Sequence, residues 1–135
     1  MEVVSIIIIN DENQVLLQLR DDKPSIPFPN KWVTLGGSVE QGESPEEAIK
    51  RELKEEIEFK LVNFELFKSY EWPDRVEFVF QAKFNFNLET VPLHEGQRIG
   101  YFSWKQIQEM NLAFNDDEIF RDYFNNKINQ TTTLS

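Results

Sequence analysis

The stretch GSVEQGESPEEAIKRELKEEIEF, residues 37–59, decides the fold of this chain. Ser44 followed by Pro45 marks the start of a helix, because serine is a favoured N-cap and proline is favoured at the first helical position. Glu47, three residues after the serine, completes a capping box. These signals predict a helix from about residue 45 to residue 57.

The predicted helix separates its apolar residues from its acidic ones. At about 100° per residue, the apolar stripe is formed by Ile49, Leu53 and Ile57. The adjacent face carries three carboxylates, those of Glu52, Glu55 and Glu56. Like charges at this spacing repel one another, so their convergence is favourable when a hard cation such as Mg²⁺ or Mn²⁺ neutralises them. The alternative is an ordinary charged helix face, which the three glutamates alone favour.

The spacing over the whole stretch resembles the signature of the Nudix hydrolase family. That signature is a glycine, five residues, a glutamate, seven residues, then Arg-Glu-apolar-any-Glu-Glu-any-Gly-apolar. The matching residues are Gly37, Glu43, Arg51, Glu52, Leu53, Glu55, Glu56 and Phe59. Only Glu58 departs from it, since the family has glycine there. The extended match outweighs the charged-face alternative.

The resemblance implies an α/β fold, a Nudix-type α/β/α sandwich with a mixed β-sheet. It also implies a Mg²⁺ or Mn²⁺ cofactor held by metal ligands from one strand end and the helix. Those ligands are the backbone carbonyl of Gly36 and the carboxylates of Glu52, Glu55 and Glu56.

The resemblance further implies roles for residues around the metal. The catalytic set is Glu52, Glu55, Arg51 and Glu95, with Glu52 as the favoured base. Arg51 is expected to pair with Glu43 or Glu52, so that Glu43 and Gly37 support the site structurally. Glu95 lies in a loop where many family members carry an additional acid, and a solvated surface glutamate is the equal alternative.

Two further residues are candidates for substrate binding. Trp32 could stack on a base, and Asn115 stands where MutT-like relatives carry an asparagine that contacts the base. Each has a simpler explanation that we favour, core packing for Trp32 and an N-cap for Asn115.

The rest of the chain predicts one domain over residues 1–128, followed by a frayed tail over 129–135. Apolar patterning and turn residues predict strands at 3–9, 15–20, 31–35, 61–72, 75–86 and 99–103, with short helices near 104–110 and 116–125.

Composition limits the partners of the chain. Its net charge is −10, which disfavours binding to long nucleic acids, and it contains no cysteine. The longest apolar run is too short to cross a membrane. We therefore expect a cytoplasmic protein, monomeric or homodimeric, whose partner is a small nucleotide-like substrate.

The leading functional prediction is hydrolysis of the pyrophosphate bond in a nucleoside diphosphate linked to a group X, foremost a (deoxy)nucleoside triphosphate. A nucleotide-sugar or ADP-ribose-type pyrophosphatase is an alternative within the family. A non-catalytic Nudix-like ligand-binding domain is a second alternative. Such a domain would tend to have lost carboxylates of the signature, whereas Glu52, Glu55 and Glu56 are all present here. An isopentenyl diphosphate isomerase shares this fold but uses a cysteine in catalysis, and this chain contains none.

Glu58 carries a prediction of its own. If it occupies the left-handed C-cap position where the family has glycine, the helix end costs about 1 kcal/mol. Glu58→Gly should then raise stability by about 1 kcal/mol and leave turnover nearly unchanged.

Overall fold

The computed structural model describes the backbone of residues 1–134 and the side chains of residues 1–126. Over these residues, seven strands form one mixed sheet and three helices accompany it. In chain order the elements are β1 (Glu2–Ile9), β2 (Val15–Leu19), β3 (Trp32–Val33), β4 (Leu35–Ser38), α1 (Pro45–Ile57), β5 (Glu65–Trp72), β6 (Arg75–Lys83), β7 (Arg98–Phe102), α2 (Trp104–Ile107) and α3 (Asp116–Leu134). Among these helices, none combines the length and hydropathy needed to cross a membrane.

Strand β1 is the centre of the sheet. It pairs in parallel with β6 and antiparallel with β2 and β4, while β5 and β7 extend the sheet outward. Its apolar run is buried on both faces: Ile6 and Ile8 pack in the core that contains α1, and Ile7 and Ile9 pack in the core that contains α3. The predicted α/β/α sandwich with a mixed sheet is confirmed.

Helix α1 begins and ends where the sequence predicts. Ser44 is the N-cap, and the reciprocal bonds of its capping box with Glu47 are both present. At the other end Glu58 adopts φ 53° and ψ 38°, the left-handed conformation expected at this position. Its N–H bonds to the Lys54 carbonyl, which closes the last turn.

The strand predicted over residues 31–35 is divided in two. At the break, the backbone N–H of Thr34 donates to Asp116 Oδ2 at 2.9 Å, and its hydroxyl donates to the same oxygen at 3.1 Å. A side chain of α3 therefore replaces a neighbouring strand at this residue. Strand β4 then resumes and continues through the glycine pair, beyond the predicted end.

The strand predicted over residues 75–86 ends earlier, at Lys83. Beyond it the Tyr101 hydroxyl accepts a bond from the Phe86 N–H at 2.9 Å and donates to the Phe84 carbonyl at 3.0 Å. A single side chain thus satisfies backbone groups that the apolar alternation had assigned to a strand.

The remaining limits also differ from prediction. The strand predicted over 61–72 begins only at Glu65, because Leu61 turns into the core beneath α1. The helix predicted near 104–110 is one turn, and the helix predicted over 116–125 continues to Leu134. The predicted frayed tail lies outside the residues whose side chains are described.

Candidate active site

Two glycines of β4 let the sheet and α1 approach closely. Strand β4 pairs with β1, so that Gly36 lies opposite Ser5. A Cβ on Gly36 would stand 2.0 Å from the Val4 carbonyl oxygen, and a Cβ on Gly37 would stand 2.4 Å from the Glu52 carboxylate. Side chains at these positions would therefore displace β1 or Glu52.

Arg51 fastens the loop before α1 to the acidic face of that helix. Its guanidinium makes a bidentate contact with Glu43 at 2.8 and 3.0 Å and also donates to Glu52 at 3.0 Å. Further bonds reach Glu55 at 3.2 Å and the Ser38 carbonyl at 2.9 Å. The two pairings considered from the sequence, with Glu43 and with Glu52, are thus both present. The Glu43 contact is the largest influence raising the pKa of Arg51.

Glu56 is a carboxylate inside the protein. Its residue is 3% exposed, and Oε2 has no hydrogen-bond partner among the described residues. Burial, followed by the charges of Glu95 and Glu52, raises the pKa of Glu56 to about 9, against which a bond from the Gly36 backbone acts. A carboxyl in this position is costly to ionise unless a positive charge lies against it.

The three glutamates of the signature, Glu52, Glu55 and Glu56, lie in three different environments. Glu55 is largely exposed, whereas the Glu52 side chain is 13% exposed and Glu56 is buried. Burial raises the pKa of Glu52, and Arg51 opposes this shift. Within residues 1–126, no group of three acidic or histidine side chains is already arranged to hold a metal ion. Arg51 Nη1 contacts both Glu52 and Glu55, and Glu52 in turn lies beside Glu56, so the three carboxylates share one side of α1.

A cavity of about 330 Å³ opens beside this acidic face. Glu56, Gly36 and Gly37 line it, together with Glu95 from the loop between β6 and β7. Glu95 thus lies at the same cavity as Glu56, although it follows Glu56 by 39 residues in the sequence. The volume of the cavity lies at the lower end of the range that is found for ligand pockets.

The two predicted substrate-binding residues lie outside the lining of this cavity. Trp32 packs edge-on against Phe102 at 4.7 Å between ring centroids, as favoured from the sequence. The Asn115 carbonyl accepts the first helical bonds of α3, but its side-chain oxygen accepts from Arg75 Nη2 at 2.9 Å instead of capping the helix. Asn115 therefore reaches the cavity only through Arg75, which does line it.

The cavity has a second group of charged residues that the sequence analysis missed. Glu77 is 5% exposed and accepts bonds from the Ser5 hydroxyl at 2.7 Å and the Trp72 indole at 2.9 Å. Arg75 Nη2 lies 3.6 Å from the same carboxylate. The apolar alternation of β6 predicts only the face that carries Val76 and Phe78. Glu77 lies between these two residues and therefore faces the opposite side of the strand.

Asp116 completes this second group at the start of α3. It is 2% exposed and accepts both bonds from Thr34. Burial, reinforced by the charge of Glu77, raises its pKa to about 7, although Thr34 and Arg75 act in the opposite direction.

Asp116 should make the stability of the metal-free protein depend on pH. Between its ordinary pKa of 3.8 and the folded pKa of about 7, the unfolded carboxyl ionises while the folded one retains its proton. The free energy of unfolding therefore falls as pH rises through this window and levels off above it. Asp116→Asn should reduce this fall, measured by urea unfolding at pH 5 and pH 8 with a chelator present. Asp117→Asn, an exposed neighbour, is the control, and parallel curves for wild type and Asp116→Asn would contradict the assignment.

Comparison with known proteins places these features in context. The family model described as "NUDIX domain" matches residues 1–123. The 8-oxo-dGTP diphosphatase of Escherichia coli K12 is 39% identical over 71 residues, which are 51% of this chain and 54% of that protein. The nucleoside triphosphatase NudI of Escherichia fergusonii is 40% identical over 60 residues, 44% of this chain and 41% of its own length. The chain thus spans about half the length of the curated relatives it matches.

The fold is also shared with solved structures. DR0079 from Deinococcus radiodurans superposes with a TM-score of 0.77 at 20% identity, over 90% of this chain and 81% of that one. At this identity the likeness concerns the architecture alone.

Proposed function

The chain belongs to the NUDIX family, and from this premise we propose that it hydrolyses the pyrophosphate bond of a nucleoside diphosphate derivative, foremost a (deoxy)nucleoside triphosphate. The observation that carries the proposal is the buried carboxylate of Glu56, whose Oε2 has no hydrogen-bond partner within the described part of the chain, on the wall of a cavity of about 330 Å³. We also propose a cytoplasmic location and a monomeric or homodimeric state.

The donor set around Glu56 fits a hard divalent cation, Mg²⁺ or Mn²⁺. The groups that would hold the cation are the carboxylates of Glu52, Glu55 and Glu56 and the carbonyl of Gly36, all of which offer oxygen. A positive charge would also relieve the cost of ionising Glu56. When bound, such a cation lowers the pKa of water and neutralises phosphate oxygens.

Arg51 and Glu52 form the part of the site that handles the proton. Arg51 holds one oxygen of Glu52, while Gly37 leaves room for the carboxylate beside β4. We propose that Glu52 accepts the proton of the attacking water, with Glu95 as the second candidate. The chain has no cysteine, and its single histidine is engaged with Glu58, so water is the proposed nucleophile.

The second charged group would hold the nucleoside. Arg75, Glu77 and Asp116 line the cavity and offer both donors and acceptors to a heterocycle. Phe114, also in the lining, supplies an aromatic face. Asn115 would act by holding Arg75, and a direct role for Trp32 in substrate binding stays a prediction.

A substrate panel tests this proposal. The panel contains the nucleoside triphosphates, 8-oxo-dGTP, ADP-ribose and a nucleotide sugar, each assayed with Mg²⁺ or Mn²⁺ and with chelator as control. The expected products are a nucleoside monophosphate and pyrophosphate. Hydrolysis of ADP-ribose or the sugar alone would support the alternative within the family. Binding without hydrolysis across the panel would support the non-catalytic alternative.

Reaction in ¹⁸O-water tests the nature of the nucleophile. Direct attack by water should place the label in one phosphoryl product within a single turnover, and its position identifies the phosphorus attacked. A phosphorylated enzyme recovered from a quenched turnover would contradict direct attack.

A further inference from the structure

The loop that carries Glu95 is attached to the end of α1 through His94 and Glu58. We propose that this attachment positions Glu95 for the reaction beside Glu56, which makes Glu58 and His94 positioning residues. The inference rests on the proposed function, because the placement of Glu95 affects turnover only if this cavity is where hydrolysis occurs.

His94 is held at two points by the last turn of α1. Its backbone N–H donates to the Glu56 carbonyl at 2.9 Å, and its ring Nε2 lies 2.5 Å from Glu58 Oε2. Glu95 follows directly in the chain and lines the same cavity as Glu56. Its charge also acts on the Glu56 carboxyl, so the two side chains are electrostatic neighbours.

The other side of Glu95 is attached to β2. Gln97 donates its backbone N–H to the Leu19 carbonyl at 2.8 Å and its side-chain amide to the Arg20 carbonyl at 2.7 Å. Gly96, which lies between Glu95 and Gln97, has a φ of +82°, and a Cβ at this residue would lie 2.6 Å from the Gln18 side chain. Glu95 is therefore held between two attachments, and the one to α1 combines a backbone hydrogen bond with the side-chain contact between His94 and Glu58.

The backbone of Glu58 supports a positioning role. A non-glycine residue in the left-handed region is strained, and the family signature has glycine at this place. The contact with His94 is more than half exposed at both side chains, and exposed pairs contribute little to stability. Glycine would relieve the strain but cannot contact His94. The retained glutamate is thus better explained by the placement of the next loop than by folding stability.

The test compares turnover in four variants of the full chain. Glu58→Ala removes the contact but keeps a strained Cβ, whereas Glu58→Gly removes both; His94→Ala removes the other partner. Each should lower kcat on the order of 10-fold with little change in KM, since a displaced catalytic group affects the chemical step. Glu58→Gln keeps a hydrogen-bonding partner for His94 and should recover part of the loss. The contact thus changes the turnover expected for Glu58→Gly from unchanged to reduced.

A double-mutant cycle separates positioning from general damage. In a Glu95→Gln background, His94→Ala should cause no further loss of kcat, because it acts through the side chain already removed. A loss of the same size in both backgrounds would overturn the proposal. Lys83→Ala, which removes a comparably exposed pair with Asp11, is the control and should leave kcat unchanged.

Amide hydrogen exchange in the metal-free protein gives a readout independent of activity. Exchange at the His94 amide should accelerate in Glu58→Ala, while amides of β1 stay protected. An active wild type whose Glu58→Ala and His94→Ala variants keep wild-type kcat and exchange would overturn this inference alone. A wild type inactive on the whole substrate panel would overturn the proposed function, and the catalytic role of the attachment with it.

Discussion

Replacing Glu55 and Glu56 together by glutamine is expected to lower kcat/KM by more than about 100-fold, because both carboxylates belong to the group that we propose as ligands of the cation. Glutamine keeps the shape of each side chain but not its charge. The protein should remain folded, since the two apolar cores around β1 do not include these carboxylates. Steady-state kinetics with the preferred substrate measures the loss.

The same double variant should change the response to metal. In the wild type, Mg²⁺ should raise the melting temperature by binding the folded state, and this rise should disappear in the variant. Without metal the variant should be at least as stable as the wild type, because a buried carboxyl with a raised pKa has been removed. Glu46→Gln makes the same chemical change at an exposed position of α1 and serves as the control. Wild-type turnover in the double variant would show that the site is assigned wrongly.

Replacing Arg51 by methionine is expected to lower activity on the order of 10- to 100-fold, the range found when partners of catalytic or metal-binding groups are removed. Methionine fills similar space but leaves Glu43 and Glu52 without their shared cation. Glu52 then loses the bond that fixes one of its oxygens. The free energy of unfolding should also fall, because both carboxylates are largely covered by the protein.

Arg51→Lys and a charge-removal cycle refine this result. Lysine restores the charge but not the planar fork, so it should recover only part of the activity. Glu43→Gln alone should destabilise the protein, yet should cost less in an Arg51→Met background, where its partner is already gone. Urea unfolding of the four proteins measures the coupling. Strictly additive effects would show that the bidentate contact does not link the loop to α1.

The sequence predicts helix α1 well because its signals are local. The capping box, the proline and the left-handed end all lie within residues 44–58, and each operates on neighbouring backbone groups. The depth of each carboxylate is a different matter. A helical wheel gives the direction of Glu52, Glu55 and Glu56, but the distance of each from solvent depends on β4 and on Arg51.

The second charged group could not be found in the same way. Ser5 and Glu77 are 72 residues apart in the chain, and Thr34 and Asp116 are 82 apart. Periodicity within one strand identifies which face is apolar, but it does not show that a polar side chain on the other face will be covered. That covering arises from the docking of α3 against the sheet.

The bond between Thr34 and Asp116 also bears on how the chain matures during synthesis. All of residues 34–57, which hold the glutamates and their glycines, leave the ribosome long before residue 116 is made. Contacts between residues that are close in sequence can form within residues 34–57 early. The cavity wall contributed by α3 forms only when Asp116 reaches Thr34, which closes a loop of about 80 residues. A nascent chain halted before residue 116 would therefore carry the acidic helix without the part of the cavity wall that Asp116 supplies.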